Sequence, residues 1–240
     1  MPSKQKHRGQ HQEDPTLFAD RMLPKLNEAV RDLSYLLSHA YPENASIKLV
    51  GDRYRLTQRQ RKALMRASCT DQSLTHRQQI LLEKDALQGT AMAIDGYNLL
   101  ITIEAALAGG IVIECRDGYY RDIASVHGTY RRVEETKPAL VMIGVSLQKL
   151  GVEEVVWYVD KPVSNSGRLK GLMYEIAGEY DFPWSVKLSN NPDKVFPTLT
   201  DTVVVSSDGW VLDRVPASFN LHKYLVNTLP GANLILLHGL

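Results

Sequence analysis

Apolar residues recur at spacings of three and four at Leu23, Leu26, Val30, Leu33 and Leu37. That period lays one apolar stripe along a helix; Pro24 suits its first turn, and Pro42 bars its continuation. Residues 47–50 form a short apolar stretch. Thr57 and Gln60 stand three apart ahead of Ala63, Leu64 and Ala67, the pattern of a capping box opening an amphipathic helix. From about residue 89 the pattern changes. Short apolar runs at 90–94, 111–114, 119–123, 154–159, 185–188, 202–205 and 233–237 predict strands. Between them 99–108, 138–150, 169–180 and 220–227 read as helices, two of them closed by glycine at Gly109-Gly110 and Gly151. Asp117-Gly118 predicts a turn between two strands, and Asp208-Gly209 reads as a hairpin dipeptide.

Strands alternating with helices, several apolar throughout, predict an α/β fold: a mostly parallel sheet with helices on both faces, preceded by a small, mainly helical N-terminal domain. The expected division is a mobile tail over 1–14, the helical domain over 15–75, a linker or connecting helix over 76–88, and the sheet domain over 89–240.

Composition adds exclusions. The chain has 240 residues, 44% hydrophobic and 23% charged, with a formal net charge of +1, so global charge names no partner. Cys69 and Cys115 form no metal-ligand spacing, which argues against zinc and suits a reducing cytoplasm; both read as buried small hydrophobes. No apolar run approaches the ~20 residues of a membrane span. No glycine-rich phosphate loop indicates a nucleotide cofactor.

The informative chemistry is acidic. Asp95 ends Ala-Met-Ala-Ile, Asp160 ends Val-Val-Trp-Tyr-Val, and Asp208 follows Val-Val-Val-Ser-Ser. In a parallel α/β sheet, sites form beyond the carboxyl ends of the strands. Each aspartate alone could be a turn or helix-cap residue. Three at equivalent ends suggest a shared cation, because clustered carboxylates otherwise repel one another and lose hydration. Oxygen ligands favour Mg²⁺ or Mn²⁺.

Ala93-Ile94-Asp95-Gly96-Tyr97-Asn98-Leu99-Leu100 resembles the opening motif of NYN-type nucleases, a branch of the PIN-like group. The resemblance covers about residues 89–240. It implies that Asp95 delivers a metal ligand and that Asn98 supports the site. It implies further ligands from Asp160 and from Asp208, which ends a late Ser-x-Asp motif. Asp213 or Asp193 would complete the set. Two features depart from the family pattern: an insertion over 111–123, and the Pro192- and Pro197-containing segment 190–201 where a helix should carry an acidic residue. With Asp32-Leu33-Ser34-Tyr35-Leu36-Leu37, Leu49-Val50-Gly51-Asp52-Arg53-Tyr54, Arg59-Gln60-Arg61 and Asp160-Lys161-Pro162-Val163-Ser164-Asn165-Ser166-Gly167, the whole chain also resembles an uncharacterised prokaryotic family that joins a small helical domain to this one.

Basic residues supply the remaining candidates. Residues 52–77 hold seven Arg and Lys against two Asp. Arg55, Arg59, Lys62 and Arg66 fall three or four apart, so they could share a helical face that tracks phosphates; a solvated surface or docking onto the acidic domain are the alternatives. Ser164 and Ser166, beside Asn165 and Gly167, precede a helix whose free N–H groups could hold a phosphate, or they simply cap it. Lys161 and Arg168 add positive charge there. The expectation is a metal-dependent nuclease acting on RNA, with Asp95, Asn98, Asp160, Asp208, Lys161 and Arg168 as its catalytic set; the resemblance to NYN-type nucleases implies products carrying a 5′-phosphate and a 3′-hydroxyl. The alternatives are a nucleic-acid-binding module without chemistry and a small-molecule phosphohydrolase.

Overall fold

The computed structural model describes residues 6–124 and 129–239. Its first part is helical: α1 (Asp14–Leu17), α2 (Leu23–Ser38), α3 (Glu43–Arg53), α4 (Gln58–Ala67) and α5 (Asp71–Ile80). The α2 stripe is buried as its spacing predicts, at Leu26, Val30 and Leu33. The capping box at α4 forms. The Thr57 hydroxyl accepts from Gln60 N–H at 3.3 Å, and the Gln60 side chain accepts from Thr57 N–H at 3.1 Å. The stretch 47–50 lies inside α3.

The second part alternates: β1 (Ala91–Asp95), α6 (Gly96–Leu107), β2 (Val112–Cys115), β3 (Tyr120–Asp122), α7 (Thr136–Lys149), β4 (Glu154–Asp160), α8 (Ser166–Tyr180), β5 (Trp184–Ser189), β6 (Val203–Val205), α9 (Gly209–Leu212), α10 (Leu221–Val226) and β7 (Leu234–Leu237). The central sheet runs β5-β4-β1-β6, every neighbouring pair parallel. Thus the fold is α/β with a mostly parallel sheet flanked by helices, plus a helical N-terminal region. A smaller sheet, β3-β2-β7, pairs β2 antiparallel to β3 across the Asp117-Gly118 turn and parallel to β7.

Alternation along the strands sorts the sheet's two faces. Met92 and Ile94 of β1, and Val155, Trp157 and Val159 of β4, join the large core formed with α6, α7, α8 and α10. Ala93 and Tyr158 face the other way, into a thinner cover made by Ile80, Phe196, Val204, Val211 and Val215. Period two puts Asp95 and Asp160 on that thinner face, at the carboxyl ends of adjacent strands.

The helical region rests on the smaller sheet. Leu26, Val30, Ala63 and Leu64 share one core with Ile113, Cys115, Ile235 and Leu237. Leu81 bridges Ser218, which in turn bridges Val204, so the connecting segment extends the edge beyond β6. Within the stretch read as a tail, Arg8 donates to the buried carboxylate of Glu104, which also accepts from the Tyr130 and Thr136 hydroxyls. Cys69 and Cys115 are free and buried, and burial pushes their thiols up to about 11 and about 12.

One element differs from its sequence reading. Asp208-Gly209 is not a hairpin turn. The chain leaves β6 and enters α9, and Asp208 caps it by accepting the Trp210 N–H at 2.8 Å. The dipeptide is equally suited to a helix start, and Val211 and Leu212 are fully buried, which fixes the helical alternative.

Candidate functional site

Asp95 is the last residue of β1 and only 7% exposed. Its Oδ2 accepts from the Ser206 hydroxyl at 2.8 Å, and Ser206 Oγ accepts from the Asp208 N–H at 3.0 Å. One buried serine therefore ties the end of β1 to the turn after β6. Asn98, one turn into α6, accepts from Ser207 N–H at 2.8 Å and from the Ser207 hydroxyl at 3.0 Å. Asp95 and Asn98, three positions apart in the motif, thus hold the adjacent residues Ser206 and Ser207. Arg121 braces that segment from the insertion: its Nε donates to Ser207 O at 2.6 Å, while its other nitrogens clamp Asp117 at 2.8 and 2.6 Å.

Gly96 allows the close approach this requires. A Cβ there would lie 2.8 Å from Tyr158 O and 2.9 Å from Val159 Cγ2, so α6 starts directly against β4.

The electrostatics are those of crowded carboxylates. Burial first, then Asp193, Asp208 and Asp160, push the Asp95 carboxyl up to about 8, against the Ser206 hydrogen bond. Partial burial also raises Asp160. Desolvation at the open side of the group, followed by Asp208 and Asp160, raises Asp193. Asp160, Asp193 and Asp208 thus all disfavour a charged Asp95, and Asp160 and Asp208 disfavour a charged Asp193. Among the described residues, no group of three or more His, Cys, Asp or Glu is disposed to hold a metal ion as it stands.

Other candidates lie elsewhere. Asp213 turns away: Arg77 Nε and Nη2 hold it at 2.8 and 3.0 Å, and the Ser73 hydroxyl donates to it at 3.1 Å. Its charge is neutralised by α5. Arg55 is not on α4 but in the preceding turn, with φ 49°. Arg59 makes a bidentate pair with buried Asp14, and Lys62 donates to Ala124 O at 3.3 Å. Thus Arg59 is paired within the N-terminal helical region, and Lys62 reaches across to the segment after β3. Arg66 lines the clefts beside Asn98 and Asp208.

At the start of α8 the N-cap is Asn165, with φ 73° and no side-chain capping bond; its amide donates to Tyr130 O at 2.9 Å. Ser166 donates to Lys161 O at 3.2 Å, and Ser164 is exposed. Neither serine side chain caps the helix. Lys161 is exposed beside Asp160. Arg168 is exposed too, and lines a separate cleft with Arg131 and Arg132.

Sequence reading did not single out Ser206, Ser207, Arg121 or Trp210. Trp210 stands exposed two residues past Asp208, with the Arg214 guanidinium 4.2 Å from its ring centroid. The serines lie inside the late motif and could have been read from it. The role of Arg121 could not, because it depends on a contact across 86 positions.

These elements define an α/β domain with an acidic group at its strand ends, joined to a helical domain. The chain belongs to the family described as domain of unknown function DUF5616, which matches residues 84–224. Residues 25–79 match a second, protein of unknown function DUF434. The chain is also similar to the uncharacterized protein MJ0935 of Methanocaldococcus jannaschii. Identity is 26% over 205 residues, covering 82% of this chain and 98% of that protein. No solved structure matches. Among the described residues, no helix is long and apolar enough to cross a membrane.

Proposed function

We propose that this chain is a PIN-like, metal-dependent nuclease acting on RNA, with Asp95, Asp160 and Asp208 as its acidic core and Asp193 at the rim. The observation that carries the reading is Asp95: a buried carboxyl with one hydroxyl donor, lifted to about 8 by burial and three other aspartates. Such an arrangement costs stability unless a cation offsets it. An all-oxygen donor set fits Mg²⁺ or Mn²⁺. Mg²⁺ is commonly held by one or two carboxylates, with waters and substrate phosphates completing its shell, so a three-carboxylate cage is not required.

Bound there, the ion would acidify a water and offset charge on the phosphoryl oxygens. The protein's own residues hold the geometry. Ser206 orients Asp95, Asn98 pins Ser207, and the α9 cap fixes Asp208 by one oxygen. Lys161, exposed and next to Asp160 in the chain, would meet a phosphate.

The test is Asp95→Asn. It preserves shape and removes one charge. Wild type should cut mixed-sequence RNA in Mn²⁺ and the variant should not, while Mn²⁺ raises the melting temperature of wild type only. Equal cleavage by both would end the nuclease reading. A second reading, a nucleic-acid-binding module without chemistry, draws on the lack of a ready ligand cluster among the described residues. It gains if neither protein cuts.

A further inference from the structure

Two clefts adjoin along the boundary between the helical region and the sheet. The smaller, about 270 Å³, opens beside Asp160, and the larger, about 520 Å³, opens beside Asp208. Arg66, Arg121 and Ser207 line both, so the two make one trough over the Ser207-Asp208 turn. One wall of the larger cleft is helical, with Leu37 of α2 and Met65 and Arg66 of α4; the opposite wall is the segment 207–214. A ligand that reaches Asp160 and Asp208 together lies along this trough.

The far end of the trough carries Trp210. Of the three tryptophans, Trp157 and Trp184 are buried, and Trp210 is 43% exposed. Val211 and Leu212 are fully buried and anchor its helix, and Asp208 Oδ1 accepts its N–H at 2.8 Å. The Arg214 guanidinium lies 4.2 Å from the ring centroid and donates to Trp210 O at 2.9 Å. Met65, also exposed, lines the same cleft. Large apolar side chains left exposed in one cleft form a contact patch. An exposed aromatic ring in a cleft with cations is a platform on which unpaired bases stack. The cations differ in what they can offer. Arg77 and Arg121 are held by Asp213 and Asp117. Arg66 and Arg214 have no carboxylate partner among the described residues, so their charge can meet phosphates.

We propose that the trough is a track for single-stranded RNA, with a base stacked on Trp210 beside the acidic group and the backbone passing Arg66. The assignment rests on the nuclease reading of that group. A double helix stacks its bases on one another and offers Trp210 no free face, whereas a single strand does. Stacking reads no base edge, so the track prefers unpaired strand rather than a sequence. The helical domain is the second wall of the track, and Arg66 is its contribution.

Binding in chelator, where no metal-dependent cutting occurs, tests the track apart from catalysis. The probe is a short mixed-sequence RNA, single-stranded or paired with its complement. The strand should quench Trp210 fluorescence, the other two tryptophans being buried, and bind roughly tenfold more tightly than the duplex. Trp210→Ala should weaken strand binding roughly tenfold and leave the melting temperature nearly unchanged, because the ring is exposed. Trp210→Phe keeps a stacking face and should lose less. Arg66→Gln should lower the log–log salt slope by about 0.7. Equal binding of the strand by wild type and Trp210→Ala overturns the track, even if the protein proves to be a nuclease. So does equal binding of strand and duplex by wild type. A wild-type dimer that Trp210→Ala dissociates makes the ring an interface between copies and overturns it too. An unchanged slope in Arg66→Gln removes the helical wall. If the strand binds as stated but Mn²⁺ elicits no cleavage, the track stands and the nuclease reading falls.

Discussion

Arg55, Arg59, Lys62 and Arg66 look alike at helical spacing, yet each has a different task. Arg55 is exposed, and Arg59 neutralises Asp14, which is 1% exposed. Arg59→Ala would leave that carboxylate buried and unpaired, at a cost of about 3 kcal/mol. Arg55→Ala should stay within about 0.5 kcal/mol. Urea unfolding of the two variants checks the contrast; equal midpoints would mean that the Arg59 pair contributes nothing. The same reasoning separates Asp213 from Asp208. Five positions apart, one is held by Arg77 and the other faces the acidic group. Residue type made both candidates; only the partner decides.

At the scale of elements, the junction between β1 and α6 concentrates the site. Asp95 ends the strand, Tyr97 and Asn98 open the helix, and Gly96 between them touches β4. Gly96→Ala would press a methyl against the Tyr158 carbonyl and the Val159 side chain. The expected cost is about 1–3 kcal/mol. Since α6 must lift away from β4, Asp95 and Tyr97 should shift as well. The variant should therefore lose its Mn²⁺-dependent melting shift as well as stability. Retention of the full shift would mean that α6 absorbs the methyl without moving Asp95. The motif that named Asp95 and Asn98 was legible because strand, turn and helix are local. The Asp208 segment was legible as residues and misread as shape, because a hairpin and a helix start use the same dipeptide.

For the whole molecule, two buried groups set opposite limbs of the stability profile. The folded protein holds a proton on Asp95 up to about pH 8, whereas an ordinary aspartate releases it near 3.8. That contribution is complete below about pH 4 and is lost as pH rises toward 8. His222 is fully buried, and burial pushes its imidazole down from 6.5 to about 3. Its contribution is complete above about pH 6.5 and is lost as pH falls toward 3. In chelator, Asp95→Asn should flatten the alkaline limb and His222→Leu the acid limb. Melting temperatures from pH 3 to 9 measure both. An unchanged alkaline limb in Asp95→Asn would show that the carboxyl titrates normally. Mn²⁺ should restore wild-type stability near pH 8, since a bound cation replaces the proton.

The sequence by itself determined the alternation of strands and helices after residue 89, the parallel sheet and the carboxyl-end placement of Asp95 and Asp160, but not the helices α3, α5 and α9. Hydrophobic period and strand alternation are local properties, and they suffice for that much. Tertiary structure alone decided the rest. It set Arg66 of α4 at the Asp160 cleft, gave Asp213 to Arg77, and passed the hydrogen bond from Asp208 through Ser206 to Asp95. Those pairings join residues up to 136 positions apart. No local period encodes them, because a carboxylate takes whichever donor the packing of distant helices brings within reach.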